Sequence, residues 1–422
     1  MRKNEYVMQA PIIVPVVEQH AEEAVFLWLQ RSYSVAEPHY SLKDLSHLDD
    51  RVEAHIDGLR IAGDAGWEIC KAALLEIKES GEVFAAAVLA FEGDDGRRVD
   101  DVVSVAQEVP ETLGALVFAL GWIDDDSFQR WVPSMLNANA AIYRYLAIAA
   151  YAVRRIDLGE ALGAALQDSD PLIKVRALRA VGELKRKDLL PEVKKFYTSS
   201  DEACRFWSVW SGVLLSDTSA IDVLRAFVSI ESTYCESAIQ LLLRVMDIQQ
   251  SQLFLNELLK NAANQRLVIR GTGMVGDPVV IPWLIELMAN PELARVAGES
   301  FSMITGVDIA YEDLEGEWPE GFEAGPTENP EDEEVAMDAD EDLAWPAPDL
   351  IRSWWQKNSN RFRPGVRYLC GQPVNIEQCQ KVLREGYQRQ RRAASLELAL
   401  LQSDAPLFNT SAPGFKQQKW LA

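Results

Sequence analysis

Apolar residues recur at helical spacing from about residue 80 to residue 308, and each apolar run closes in a short polar break that contains an aspartate. The breaks hold Asp94, Asp124, Asp157, Asp188, Asp217, Asp247, Asp277 and Asp308, at steps of 30, 33, 31, 29, 30, 30 and 31 residues. A fixed interval of this length is the mark of a repeat architecture. Each unit divides again. Asp188 precedes LLPEVKKFYTS, a polar turn SSDE and then ACRFWSVWSGVLL; Asp277 precedes PVVIPWLIELMA, the turn NPE and then LARVAGESFSMIT. The spacing predicts two helices per unit, with aspartate as N-cap and Pro278 and Pro291 in first turns.

A pair of short amphipathic helices cannot hide both apolar faces alone, so the units must stack on one another. The expected fold is therefore all-α, a solenoid of helical hairpins with helical caps at both ends. Its expected parts are an N-terminal helical cap over 1–79, the repeats over 80–311, an acidic Pro/Gly-rich flexible insertion over 312–349, and a basic helical cap over 350–422.

The same register aligns Arg144, Arg176, Arg205, Arg266 and Arg295, each 11 to 13 residues before its closing aspartate. Such a ladder either grips an acidic partner or ties the units together by pairing with turn acids such as Asp168, Asp170, Asp201 and Glu202. The unit closing at Asp247 interrupts it, with Cys235 and Glu236 at that height.

The stretch DSDPLIKVRALRAVGEL, residues 168–184, resembles a HEAT repeat of the short, 30-residue kind: a helix-turn proline followed by Val-Arg and small residues. Beyond the repeats, HAEEAVFLWLQR (20–31), PHYSLKDLSHLDDRVEAHIDGLRIAGDAGW (38–67), SFSMITGVD (300–308) and GYQRQRRAASLELALL (386–401) are similar to a bacterial HEAT-repeat family encoded beside type VI secretion components. The resemblance implies a non-enzymatic protein-binding scaffold, an adaptor or chaperone for a type VI effector. An immunity protein that neutralises a toxin is the neighbouring reading, and a HEAT-like enzyme acting on nucleic acid is a third.

Composition narrows these readings. The chain has 422 residues and a net charge of −24, which sets it against nucleic-acid phosphates and anionic membranes as general partners. The charge is uneven: 312–349 holds sixteen acids and no Lys or Arg, and 352–422 holds twelve basic residues against four acids. Five widely spaced cysteines without a CxxC pair, and an N-terminal apolar stretch broken by prolines, suit buried thiols in a cytoplasmic protein.

Candidate chemistry is sparse. The four histidines, His20, His39, His47 and His55, all precede residue 56; His47 and His55 would lie within roughly 80° on one helix, without HExxH spacing. The His-Glu pairs of di-iron HEAT-like hydroxylases are absent. Gly271, Gly273 and Gly276 form a GxGxxG pattern, but the next helix would start after the third glycine, unlike a dinucleotide loop. No catalytic, cofactor or metal residue is assigned. The expected contacts with a protein partner, besides the ladder, are Tyr387, Arg389, Arg391 and Arg392 of the basic helix and Trp354 and Trp355 beside the insertion.

Overall fold

In the computed structural model, residues 12–229, 231–322, 324–325 and 337–422 are described. Three helices open the chain, α1 (Val14–Ser34), α2 (Leu42–Ala62) and α3 (Asp64–Ile77), followed by α4 (Ser80–Glu92). Seven hairpins follow, one per predicted interval: α5 (Gly96–Glu108) with α6 (Leu113–Trp122), α7 (Asp125–Met135) with α8 (Ala141–Val153), and α9 (Glu160–Ala165) with α10 (Pro171–Glu183). The later four are α11 (Leu190–Lys194) with α12 (Glu202–Leu214), α13 (Ile221–Arg225) with α14 (Cys235–Val245), α15 (Ile248–Leu258) with α16 (Gln265–Val275), and α17 (Ile281–Leu287) with α18 (Pro291–Thr305). Then come α19 (Pro348–Asn358), α20 (Ile376–Glu385), α21 (Gln388–Leu401) and α22 (Gly414–Leu421). The fold is an all-α solenoid; among the described residues its named sheet is one two-stranded ribbon, Tyr368–Leu369 with Gln372–Pro373.

The aspartates act largely as the pattern requires. Asp124, Asp217, Asp247 and Asp277 each accept from a backbone amide two or three residues on. Asp95 caps α5 in place of Asp94, and Asp188 instead pairs with Arg186 at 2.7 Å. Among the later hairpins the first helices α11, α13 and α17 are shorter than the spacing suggests, and each is entered through a 3₁₀ turn.

Small residues set the distance between stacked second helices. A Cβ on Gly182 of α10 would meet Ser211 Cα at 2.8 Å, and one on Gly273 of α16 would meet Ser300 Cα at 3.1 Å. In both places the serine hydroxyl donates to the carbonyl four residues before the glycine, Leu178 at 2.6 Å and Ile269 at 2.9 Å. Gly271 and Gly273 are thus contact residues inside a helix, and Gly276 ends that helix with φ +75° under the carbonyl of Tyr368, where a Cβ would stand 2.3 Å away.

Contacts divide the chain into two compact units, with the division at Ala161 and Leu162, inside the block read as continuous repeats. Of the described residues, the first unit comprises those up to Val35, Lys43–Ala161 and Ser411–Ala422, and the second those within Ala36–Leu42 and Leu162–Thr410. The basic C-terminal region is therefore shared out rather than forming one terminal body.

In the first unit, Trp28 stacks on Phe84 at 4.8 Å, and Trp122 meets both Phe84 and Phe415 edge-on. Arg31, 1% exposed, lies over Phe118 and donates to Asp49 at 2.8 Å and to the Ala412 carbonyl at 2.8 Å. Asp49 also accepts from the Gly414 amide, and burial pushes its carboxyl up against the pull of Arg31. Lys416 donates to the carbonyls of Gly121 and Ile123 at the end of α6. Burial, with Arg154 close by, lowers its ammonium to about 7.

In the second unit, the segment after α19 runs along the ends of the repeat helices. The ribbon donates from Tyr368 to Gly276, from Cys370 to Met303 and from Gly371 to Ile304. Arg367 reaches the carbonyls of Arg244 and Val275, and Lys185 reaches those of Leu214 and Ala399. Burial holds Lys185 down at about 8. These donors occupy the carbonyls that the helix ends leave without partners.

Arg31→Met leaves Asp49 buried and without its ion partner, and should lower stability by about 3–5 kcal/mol in urea unfolding. Lys416 titrates near pH 7 when folded and near 10.5 when unfolded, so the unfolded chain binds more protons between those values and the lysine makes stability rise with pH there. Lys416→Met should remove up to about 1.4 kcal/mol per pH unit from that rise; an unchanged pH profile would show the lysine to be solvated.

Candidate functional site

Within the second unit, three segments far apart in sequence meet over α18 and enclose a cleft of about 900 Å³ (930 Å³). Arg295, Glu299 and Ser302 share one face of α18 by helical spacing and line its wall. Gly306 ends the helix in the left-handed region, φ +73°, and turns the chain so that Asp308 faces the cleft. The other walls come from Pro38 and His39, from 341–344, and from Glu385 to Gln390.

The acidic insertion, expected to be flexible, is docked over its described residues; 323 and 326–336 lie outside them. Gly316 donates to the Trp345 carbonyl and Ala347 to that of Leu314, so the two ends of the insertion are tied together. Asp338 accepts from both terminal nitrogens of Arg295, at 2.6 and 2.9 Å, and Trp318 and Trp345 each place a ring 5.1 Å from the same guanidinium. Asp340 accepts from Arg266 at 2.6 Å. The ionised form of Asp338 is favoured: burial opposes it, but Arg295 prevails and holds the carboxyl below its usual range.

On the opposite wall, the Tyr387 hydroxyl donates to Asp308 at 2.7 Å, and Arg389 donates to Glu299 and to the Ala36 carbonyl, both at 2.8 Å. Glu37, His39 and Asp342 bring their donor atoms within 4.8 Å of one another. Burial and the neighbouring Asp342 raise the Glu37 carboxyl. These three are the described residues whose geometry could hold a metal ion, but His39 and Asp342 are about half exposed, and Arg389 lends positive charge nearby. His55, paired in the sequence reading with His47, instead meets His20, Nδ1 to Nδ1 at 3.2 Å.

Of the residues expected to touch a partner, the structure brings Arg295, Tyr387 and Arg389 to this cleft, with Arg266 joined through Asp340. The other three ladder arginines lie away from the cleft. Arg144 donates to the carbonyls of Ala138 and Asn139 and Arg205 to that of Ser199, so both bind turn backbone. Arg176 pairs with Glu183 inside the core. Arg391 is fully buried, bonded to the Leu383 carbonyl and to Gln388, and burial lowers it to about 10. Arg392 lies exposed on the same helix. Trp354 and Trp355 pack against the apolar core around Phe301 and Phe362.

With both arginines engaged, the cleft presents an excess of carboxylates: Glu299, Asp308, Glu315, Glu341, Asp342 and Glu385 against Arg295 and Arg389. Such a lining attracts a basic segment and repels an acidic one. No single residue advertises this in sequence. Glu341 and Asp342 belong to a run of sixteen acids, and nothing but the pairing of Asp338 and Asp340 separates those spent on arginine from those left facing the cleft.

Residues 159–244, spanning α9 to α14, match the family described as HEAT repeats. A solved structure of an engineered protein from the Northeast Structural Genomics Consortium aligns with 68% of this chain and 94% of its own length, at 14% identity and a TM-score of 0.30. A comparison with curated proteins finds no match.

Arg295→Gln removes a charge-assisted pair that holds the insertion down. Hydrogen exchange in 314–322 and 338–347 should speed up by about tenfold or more; unchanged protection would mean that the tryptophans alone seat the insertion.

Proposed function

We propose that the protein is a non-enzymatic scaffold that binds a protein partner, and that the cleft over α18 receives a basic segment of it. HEAT repeats serve in general as protein-interaction surfaces, and the repeat match over 159–244 supports that coarser role. The observation that carries the cleft is its charge: the arginines that line it are already engaged, while Glu341 and Asp342 remain at its mouth. In this reading the partner brings positive charge, where an arginine stripe would have called for an acidic one.

The partner we infer is a type VI secretion effector or its delivery component, with this protein as adaptor or chaperone. The support is the likeness of 20–31, 38–67, 300–308 and 386–401 to the family encoded beside such systems. Three of those segments supply cleft walls: 38–67 brings His39, 300–308 brings Ser302 and Asp308, and 386–401 brings Tyr387 and Arg389.

Affinity purification from the native cell should recover the effector with the unaltered chain. The double change Glu341→Lys with Asp342→Lys should lower that recovery by at least about tenfold while the melting temperature holds; equal recovery would remove the cleft from the interface. Deleting the gene should stop effector export and leave self-protection intact. Loss of self-protection with export preserved would make the protein an immunity factor instead.

A further inference from the structure

The first unit carries a second surface, built from other residues. Helices α1, α3 and α4 pack on one another and leave a groove of about 500 Å³ (540 Å³). Its lining is apolar: Val25 and Leu29 from α1, Ala73 from α3, and Ala85 from α4. Gly81 lets α4 start hard against α1, since a Cβ there would stand 2.5 Å from Val25 Cγ1. Phe26 and Ile77 line the same groove while 63% and 51% exposed.

Every charged residue in the lining has one sign. Glu18, Glu22 and Glu76 are exposed, and Glu82, in the first turn of α4, is 7% exposed with its Oε2 buried and without a hydrogen-bond partner. A buried carboxylate oxygen lacking a donor is costly. Elsewhere among the described residues the deeply buried carboxylates have donors: Asp49 pairs with Arg31, Glu183 with Arg176, Glu397 with Arg244 and Arg367, and Asp340 with Arg266, while Asp277 accepts from Gln252 and from the amides of Val279 and Gly365. Glu82 Oε2 is as buried and has no donor, and Glu82 lines a groove open to an incoming chain.

We propose that this groove docks an amphipathic helix of a partner protein, apolar along one face and flanked by lysine or arginine, with one of those cations reaching Glu82. Helix-in-groove recognition needs an apolar trough for side chains one turn apart and polar edges that set orientation. The trough and the acidic edges are both present. A second copy of this chain is disfavoured as occupant, because at net charge −24 it brings like charge to an acidic rim. Burial raises the Glu82 carboxyl, so cation binding there should tighten as pH rises through its titration and level off above it.

The test uses the full chain and a fluorescein-labelled synthetic helix of about four turns, with leucines along one face and lysines beside them. Anisotropy should show saturable binding with a dissociation constant on the order of 10 μM. Glu82→Gln should weaken it about tenfold, as should the surface change Glu22→Lys, and Ala73→Trp should abolish it by filling the trough. The same helix with glutamates in place of lysines should not bind. The proposal is overturned by absence of saturable binding, by equal binding of the glutamate helix, or by variants that melt normally and bind as the parent does. Sedimentation showing self-association of the parent chain that Ala73→Trp removes would assign the groove to a second copy and likewise overturn it. None of these variants touches the cleft over α18, so the two readings stand or fall separately.

Discussion

Helices stacked in register expose the same end on the same side, and for the second helices of these hairpins that end is a row of backbone carbonyls without intrahelical partners. Burying such a row demands donors. The demand is met by cations, some from a neighbouring repeat and some from the C-terminal chain, and in the second unit also by backbone of that chain. In the first, Arg154 and Lys416 serve the end of α6. In the second, Lys185 serves α12, Arg367 serves α14 and α16, and the short ribbon serves α16 and α18. The C-terminal chain adds donors to those that Arg154 and Lys185 bring from the repeats themselves. The lowered values of Lys185 and Lys416 reflect the same placement, since groups inserted among buried carbonyls lose water and hold their protons less tightly.

The arginines face a related constraint. A guanidinium carries five donors, and a buried one must spend them on acceptors within reach. Arg144 and Arg205 find turn carbonyls, Arg176 finds Glu183, and Arg266 and Arg295 find the acids of the insertion. Positive charge is therefore consumed inside the fold, while the acids in excess are left on surfaces. The cleft over α18 and the groove between α1 and α3 share that outcome, and both call for partners that bring positive charge.

Much of the architecture was written in the chain. A 30-residue recurrence of aspartate breaks between apolar helical runs implies paired helices, and paired helices of that length are stable only when stacked; seven hairpins follow in that register. The glycines of the dinucleotide-like motif were legible as helix contacts for a similar local reason, since Asp277 starts the next element after them. Arg295, Tyr387 and Arg389 were singled out by repeat register and residue type, and all three line the cleft.

What the tertiary structure alone decided is which charge meets which. Repeat register places arginines at equal heights, but it says nothing of the acceptors that reach them from 338–340, or of Glu299 waiting for Arg389 ninety positions away. The division at Ala161 and Leu162 and the seating of 411–422 on the first unit are likewise matters of long-range packing. Local sequence determines helices because hydrogen bonds within a helix span four residues. The sign of a surface is a remainder, left after pairs formed across hundreds of residues have cancelled, and it exists only once the chain has folded.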